Sequence, residues 1–264
     1  NSEYLLKDLN STNGTFVDGR QVLNQTIITK DSKICISRYL LSLSGQSKQN
    51  KSGVTALVDQ LAIVTTNIEK EYPMKGGGVN LALKNTNLSI PSRSLLALMG
   101  PSGCGKSTLL KSLNGDSPPT RGEVLLFGMD LVQYYDYLKT QIGYVPQDDT
   151  IHTNLTVYQC LYYTGKLRFA NPENELINQK IDSVLESLNI LDIKHKLVSN
   201  LSGGQRKRVC VANELLTDPL LLFLDEPTSP LDPKNIKDFL KTLRDLSHQT
   251  GTTVVMVTHK PEDV

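Results

Sequence analysis

The stretch Gly100-Pro101-Ser102-Gly103-Cys104-Gly105-Lys106-Ser107-Thr108 constrains this chain more than any other. An apolar run, Leu95-Leu96-Ala97-Leu98-Met99, precedes it and is short enough for a buried parallel strand. Leu109-Leu110-Lys111-Ser112-Leu113 follows with helical composition, and Gly115 is placed to stop it. Strand, glycine-rich loop and helix together form an anion site. Glycines let consecutive backbone N–H groups turn inward around a phosphate, and the helix N-terminus adds partial positive charge. The Lys106 ammonium can reach the β- and γ-phosphates of a nucleotide, and the Ser107 hydroxyl can bind Mg²⁺.

With 264 residues the chain has room for one or two domains and a large core. A formal net charge of +1 gives no sign of a nucleic-acid or anionic-membrane partner. Cys35, Cys104, Cys160 and Cys210 lack metal-ligand spacing and read as reduced thiols of a cytosolic protein. No apolar run approaches the roughly 20 residues that span a bilayer, so the piece reads as soluble. Residue 1 is Asn, and the last residues follow a strand closely, as expected of a piece of a longer polypeptide.

Residues 3–44 are β in character. Thr15-Phe16-Val17 and Arg20-Gln21-Val22-Leu23 flank Asp18-Gly19, a pair suited to the positive φ angles of a type I′ turn. The segment Asp8-Leu9-Asn10-Ser11-Thr12-Asn13-Gly14-Thr15-Phe16-Val17-Asp18-Gly19 resembles the C-terminal half of a forkhead-associated (FHA) domain, a β-sandwich that binds phosphothreonine peptides. The resemblance implies that Asn13 contacts the peptide backbone, with a phosphothreonine peptide as a partner. About forty residues are too few to bury a core alone. Residues 45–53 are polar and read as a linker.

From Val54 the β pattern resumes, and Val79 to Ile90 alternates as a half-buried strand does. Asn154 or Thr156 can cap a helix through Tyr163, and Asn171-Pro172 can start the next. Ile177, Ile181, Val184, Leu185 and Leu188 fall on one helical face. Leu220 to Leu224 is a continuous apolar strand ending in Asp225-Glu226, and Val254 to Val257 is another, ending in Thr258-His259. Adjacent residues at a strand end diverge, so one carboxylate can face a metal and the other a water.

Five motifs now stand in order: the glycine-rich loop, Gln147, Leu201-Ser202-Gly203-Gly204-Gln205, Leu220 to Glu226, and His259. Their order and residues closely resemble the ATP-binding domain of ABC transporters. Tyr144-Val145-Pro146-Gln147-Asp148-Asp149 and Glu214-Leu215-Leu216-Thr217-Asp218-Pro219 look most like the G subfamily of exporters. Ser229-Pro230-Leu231-Asp232 carries Pro where that family usually has a small residue.

The resemblance implies an α/β fold: a P-loop NTPase core with an antiparallel β subdomain and an inserted α-helical subdomain, behind a truncated FHA β-sandwich. The expected layout is FHA-like residues 1–44, linker 45–53 and ATPase 54–264, with helices at about 150–216. It implies ATP and Mg²⁺ as cofactors. Asp225 would hold the metal through water, with Ser107 and Gln147 beside it. Glu226 would be the general base. His259 would reach the γ-phosphate, Lys106 would hold phosphates, and Tyr72 would stack on adenine. Gly100 to Thr108 would wrap the phosphates.

Ser202, Gly203, Gly204 and Gln205 open a helix and so form a phosphate site of their own. The resemblance gives that site to the nucleotide of a second copy, making two equivalent shared sites. The implied partners are a second ABC ATPase domain and a transmembrane permease domain in the same full-length chain, at the cytoplasmic face of a membrane. A soluble ABC ATPase acting as a switch on macromolecules is the alternative, and phosphopeptide binding as the main activity a third. Arg206-Lys207-Arg208 reads as a solvated face, and Tyr134-Tyr135-Asp136-Tyr137 as surface packing.

Overall fold

A computed structural model describes residues 3–9, 11, 13–43, 54–57, 61–169, 173–229 and 231–259. The linker expected at 45–53, the helix start expected at Asn171-Pro172 and the departure at Pro230 lie outside the described residues.

The N-terminal part is β1 (Tyr4–Lys7), β2 (Thr15–Val17), β3 (Arg20–Gln21), β4 (Gln25–Ile28), β5 (Lys33–Ile36), β6 (Tyr39–Ser42) and β7 (Val54–Ala56). β2 and β3 form the expected hairpin, with Asp18 at φ 49° and Gly19 at φ 84°. The sheet runs in the order β3-β2-β5-β6-β7, and β1 pairs with β4 alone. Because β7 pairs antiparallel with β6, the boundary expected at residue 54 falls inside this sheet.

The long strands β8 (Leu61–Pro73) and β9 (Val79–Pro91) form an antiparallel ribbon. Then come β10 (Leu95–Met99), α1 (Lys106–Asn114), β11 (Arg121–Leu126), β12 (Met129–Asp130), α2 (Tyr135–Leu138) and β13 (Ile142–Val145). The helical part is α3 (Val157–Arg168), α4 (Asn174–Ser187) and α5 (Gly203–Leu215). β14 (Leu221–Asp225), α6 (Pro233–Thr250) and β15 (Thr253–Thr258) end the described chain.

The parallel sheet runs β10-β15-β14-β13. Leu221 to Leu224 are fully buried there, as a continuous apolar run in a parallel sheet requires. The antiparallel sheet runs β12-β11-β8-β9. Thr156 caps α3 in a reciprocal box with Gln159, so the segment's two capping candidates resolve to Thr156.

The N-terminal strands do not stand apart. Phe16, Cys35 and Leu57 join one buried cluster with Leu110, Leu113, Met129, Tyr134 and Tyr137 of the following domain. The Phe16 and Tyr137 rings lie 5.3 Å apart, and the Tyr137 hydroxyl donates to the Ser37 carbonyl at 2.7 Å. Tyr137 and Tyr134 are therefore core, which corrects the expectation of surface packing; Tyr135 alone of the three is exposed. The core that a half-sandwich lacks is supplied by its neighbour.

Candidate functional site

The parallel sheet delivers the site at its carboxyl edge, where β10, β14 and β15 all end. β10 runs into the loop 100–105, and α1 begins at Lys106. Gly105 caps the helix at φ 96°, and the carbonyl oxygen of Ala82 lies 3.0 Å from where a Cβ would stand. Gly103, at φ 79°, faces open space. Side chains at these positions would strain the turn, and at Gly105 one would also crowd β9. The loop is thus a concave ring of backbone at a helix N-terminus, a shape that fits a polyphosphate.

The Lys106 ammonium donates to the carbonyls of Gly100 at 2.8 Å and Pro101 at 2.9 Å, which lays it along the loop. The Ser107 hydroxyl donates to Asp225 Oδ1 at 3.1 Å. A hydroxyl and a carboxylate meeting beside a phosphate cradle are hard oxygen donors, suited to Mg²⁺. Burial pushes the Asp225 carboxyl up from its ordinary pKa; the Ser107 hydrogen bond opposes this, and the charge of Glu226 adds to it.

Asp225 and Glu226 diverge as expected. Glu226 Oε2 accepts from Gln147 Nε2 at 3.2 Å, and His259 Nδ1 stands 3.4 Å from the same oxygen. Glu226 itself sits at φ 47°, left-handed backbone that costs a non-glycine residue about 1–2 kcal/mol. Its N–H donates to the Val257 carbonyl, and its own carbonyl accepts from the Ser229 N–H. Nothing in the sequence signals this conformation.

Ser102 through Thr108, Tyr72, Gln147, Glu226 and His259 line one cavity of about 660 Å³, together with Asn80, Leu81 and Ala82. The last three were not foreseen. They come with Tyr72, because the β8–β9 register sets Tyr72 opposite Asn80. Ser202, Gly204 and Gln205 are not among its lining residues. They line a second cavity of about 660 Å³ with Asn189, Leu231 and Asp238. Ser202 caps α5 and Gln205 closes the box, leaving the helix N-terminus at that surface.

Asn13 lines a crevice of about 400 Å³ with Lys139, Thr140, Ile142, Arg168 and Thr217. Its two cations are engaged: Arg168 with Glu214 at 2.8 Å and 3.0 Å, and Lys139 with Asp136 at 2.6 Å.

Arg206-Lys207-Arg208 is not a solvated face. Lys207 is 1% exposed. Arg208 donates to the Leu188 carbonyl and to Thr242, and its guanidinium lies 5.5 Å from the Phe239 ring centre. A short basic cluster carries no periodicity of its own. The signal was Lys207 standing three and four residues before the buried Cys210 and Val211.

Comparison with known proteins agrees with this geometry. A family described as ABC transporter matches residues 83–229, and the FHA domain family matches residues 1–37. The chain is 36% identical over 259 residues to the ABC transporter ATP-binding/permease protein of Mycobacterium tuberculosis, covering 96% of this chain and 29% of that protein. It is 34% identical over 203 residues to the sulfate/thiosulfate import ATP-binding protein of Synechocystis, covering 77% of this chain and 55% of that protein. This chain therefore spans about half of the latter and under a third of the former. Among solved structures it resembles the dimeric ATP-binding cassette MJ0796 in a post-hydrolysis state bound to ADP and Pi. There the TM-score is 0.67 at 28% identity, over 76% of this chain and 89% of that one. It also resembles CbiO1 of Clostridium perfringens, part of an ABC transporter complex. That match has TM-score 0.68 at 30% identity, over 76% of this chain and 79% of the other.

Proposed function

This chain belongs to the ABC transporter family, whose ATP-binding domains are ATPases that take ATP with Mg²⁺, and from that premise we propose that it is the ATP-hydrolysing domain of an exporter. The observation that carries the reading is the convergence of the glycine-rich loop, Tyr72, Gln147, Glu226 and His259 on one cavity, with Ser107 bonded to Asp225 beside it.

The geometry supports the following roles. Loop N–H groups and Lys106 hold the phosphates. Tyr72 stacks on the adenine. Bound Mg²⁺ would supply the positive charge that neutralises developing charge on the phosphate oxygens. Ser107, Asp225 and Gln147 would hold it. Glu226 takes the proton of the attacking water, and Gln147 and His259 fix its carboxylate from one side. Ser202, Gly203 and Gly204 complete the site of a second copy, so that ATP closes a dimer and hydrolysis reopens it. The MJ0796 cassette, dimeric with ADP and Pi bound, supports dimerisation of such domains with nucleotide.

Export rests on the G-subfamily likeness of residues 144–149 and 214–219; a relative named as an ATP-binding/permease protein across almost the whole chain supports a permease partner, while the sulfate/thiosulfate relative is named for import. A groove beside the Gln147 loop, lined by Val145, Leu155, Tyr163 and Leu167, is the seat we assign to the permease. Tyr163 and Leu167 are exposed apolar side chains, the kind a partner covers. Among the described residues no helix is long and apolar enough to cross a membrane, so on this reading the permease lies outside them, with this domain at the cytoplasmic face. The FHA-like strands would add regulation through a phosphothreonine peptide at Asn13.

Lys106→Ala tests the site. It removes the charge aimed at the β- and γ-phosphates, so ATP binding should weaken and turnover fall at least roughly 10²-fold. Unchanged affinity and turnover would take the nucleotide away from this loop.

A further inference from the structure

Lys207 carries a charge into the interior at 1% exposure. An ammonium has three donors, and a buried one is tolerated only when it is paired and hydrogen-bonded. Here three acceptors surround it. The carbonyl oxygens of Gln147 and Pro146 lie at 2.9 Å and 3.3 Å, and the Asp149 carboxylate at 2.8 Å. All three belong to the loop that carries Gln147, while Lys207 belongs to α5.

Asp149 takes a second hydrogen bond from the same helix and lies near a further cation on it. Cys210 Sγ donates to it at 3.6 Å, and Arg206 Nε stands 4.0 Å away. So α5 grips the loop 146–149 by its backbone, and the loop's side chain Gln147 reaches Glu226 at 3.2 Å. α5 is also the helix that Ser202 caps. One helix therefore ends at one phosphate site and, a turn later, fastens the loop of the other.

We propose that Lys207 is a positioning residue for hydrolysis: it fixes the Gln147 backbone to α5, so that the Gln147 amide stays on Glu226 and any shift of α5 is passed to that contact. The inference rests on the proposed roles of Gln147, Glu226 and the shared sites. The residue type fits the task. Three separate oxygens suit a compact ammonium with rotatable donors, whereas the planar fork of Arg suits a single carboxylate. An apolar residue of the same volume would leave two carbonyls without their donor and the Asp149 carboxylate with the weak Cys210 thiol in place of an ammonium.

The test compares Lys207→Met, Gln147→Ala and the double variant, in the whole chain, by melting temperature, ATP affinity, kcat and KM. Lys207→Met should keep ATP affinity within about twofold, since no loop 100–108 contact changes, and should lose about 10- to 100-fold in kcat through a misplaced amide. The double variant should be no slower than Gln147→Ala alone, because both changes act on one contact. Lys207→Gln keeps amide donors toward the two carbonyls and should recover part of kcat. If Lys207→Met does not fold, Lys207→Gln carries the same cycle with a smaller loss.

A normal kcat in Lys207→Met beside a slow Gln147→Ala overturns the inference alone. So do losses that multiply in the double variant, the sign of a general structural role. A normal kcat in Gln147→Ala overturns the reading of the site, and the inference with it.

Discussion

Cys104 is the exposed cysteine of the four and lies inside the phosphate loop. The others are buried. Burial pushes the Cys35 and Cys210 thiols up to about 12, with the charges of Asp18 and Asp149 adding to it respectively, and raises Cys160 as well. Since the thiolate is the reactive form, these three should be inert near pH 8 while the chain is folded. A maleimide should therefore label one thiol in the native protein and four after unfolding. Saturating ATP with Mg²⁺ should slow that labelling on the order of 10- to 100-fold, in proportion to ligand over Kd. The labelled chain should lose ATP binding, because Cys104 lines the same cavity as Lys106 and Ser107 and a maleimide adduct would fill it. Mass spectrometry of the labelled peptide with an ATP titration checks both. Full labelling of Cys104 with undiminished ATP affinity would place the phosphates elsewhere.

At the scale of elements, the sequence was legible where one local rule decides. A continuous apolar run made β14 buried and Asp-Gly made the β2–β3 hairpin, while the cap of α3 was narrowed to Asn154 or Thr156 and its box with Gln159 went unread. It was illegible where the deciding partner lies far along the chain. Tyr137 is buried because Phe16 and Ser37 cover it, and Ser37 is 100 residues away; a four-residue helix has no period to reveal a buried side. Lys207 looked like surface because charge outweighs position in a short basic cluster, and its acceptors sit 60 residues earlier. Glu226 gave no hint of its backbone conformation, because adjacent strand-end carboxylates read the same in either. The shared core makes its own prediction. Phe16→Ala removes a buried ring from the junction of β2 and α2, at a cost of about 3 kcal/mol. The whole chain should then melt several degrees lower in a single transition followed by circular dichroism. An early partial transition, with the main one unmoved, would mean that the N-terminal strands add nothing to the core of the ATPase.

For the whole molecule the question is whether one chain suffices for hydrolysis. Residues 102–108 and the Ser202 helix end line separate cavities, so a nucleotide in the first lacks the second unless another copy brings it. Glu226→Gln separates binding from chemistry. Gln keeps the shape and can still orient a water, but it cannot accept the water's proton, a loss of about 10²- to 10⁴-fold in rate. On the proposed roles, contacts to the phosphates from the loop, Lys106 and the partner's Ser202 survive the change. ATP should thus bind and stay, and the variant should accumulate as an ATP-bound dimer to a greater extent than the unaltered chain. Adding Ser202→Arg puts bulk where the partner's γ-phosphate must approach, and should return the protein to monomer while each loop still binds ATP. Light scattering with ATP and Mg²⁺ reads both states, at high protein concentration so that a weak dimer is not missed. A Glu226→Gln chain that binds ATP yet stays monomeric throughout would argue against shared sites, and one that hydrolyses at the unaltered rate would remove Glu226 from the chemistry.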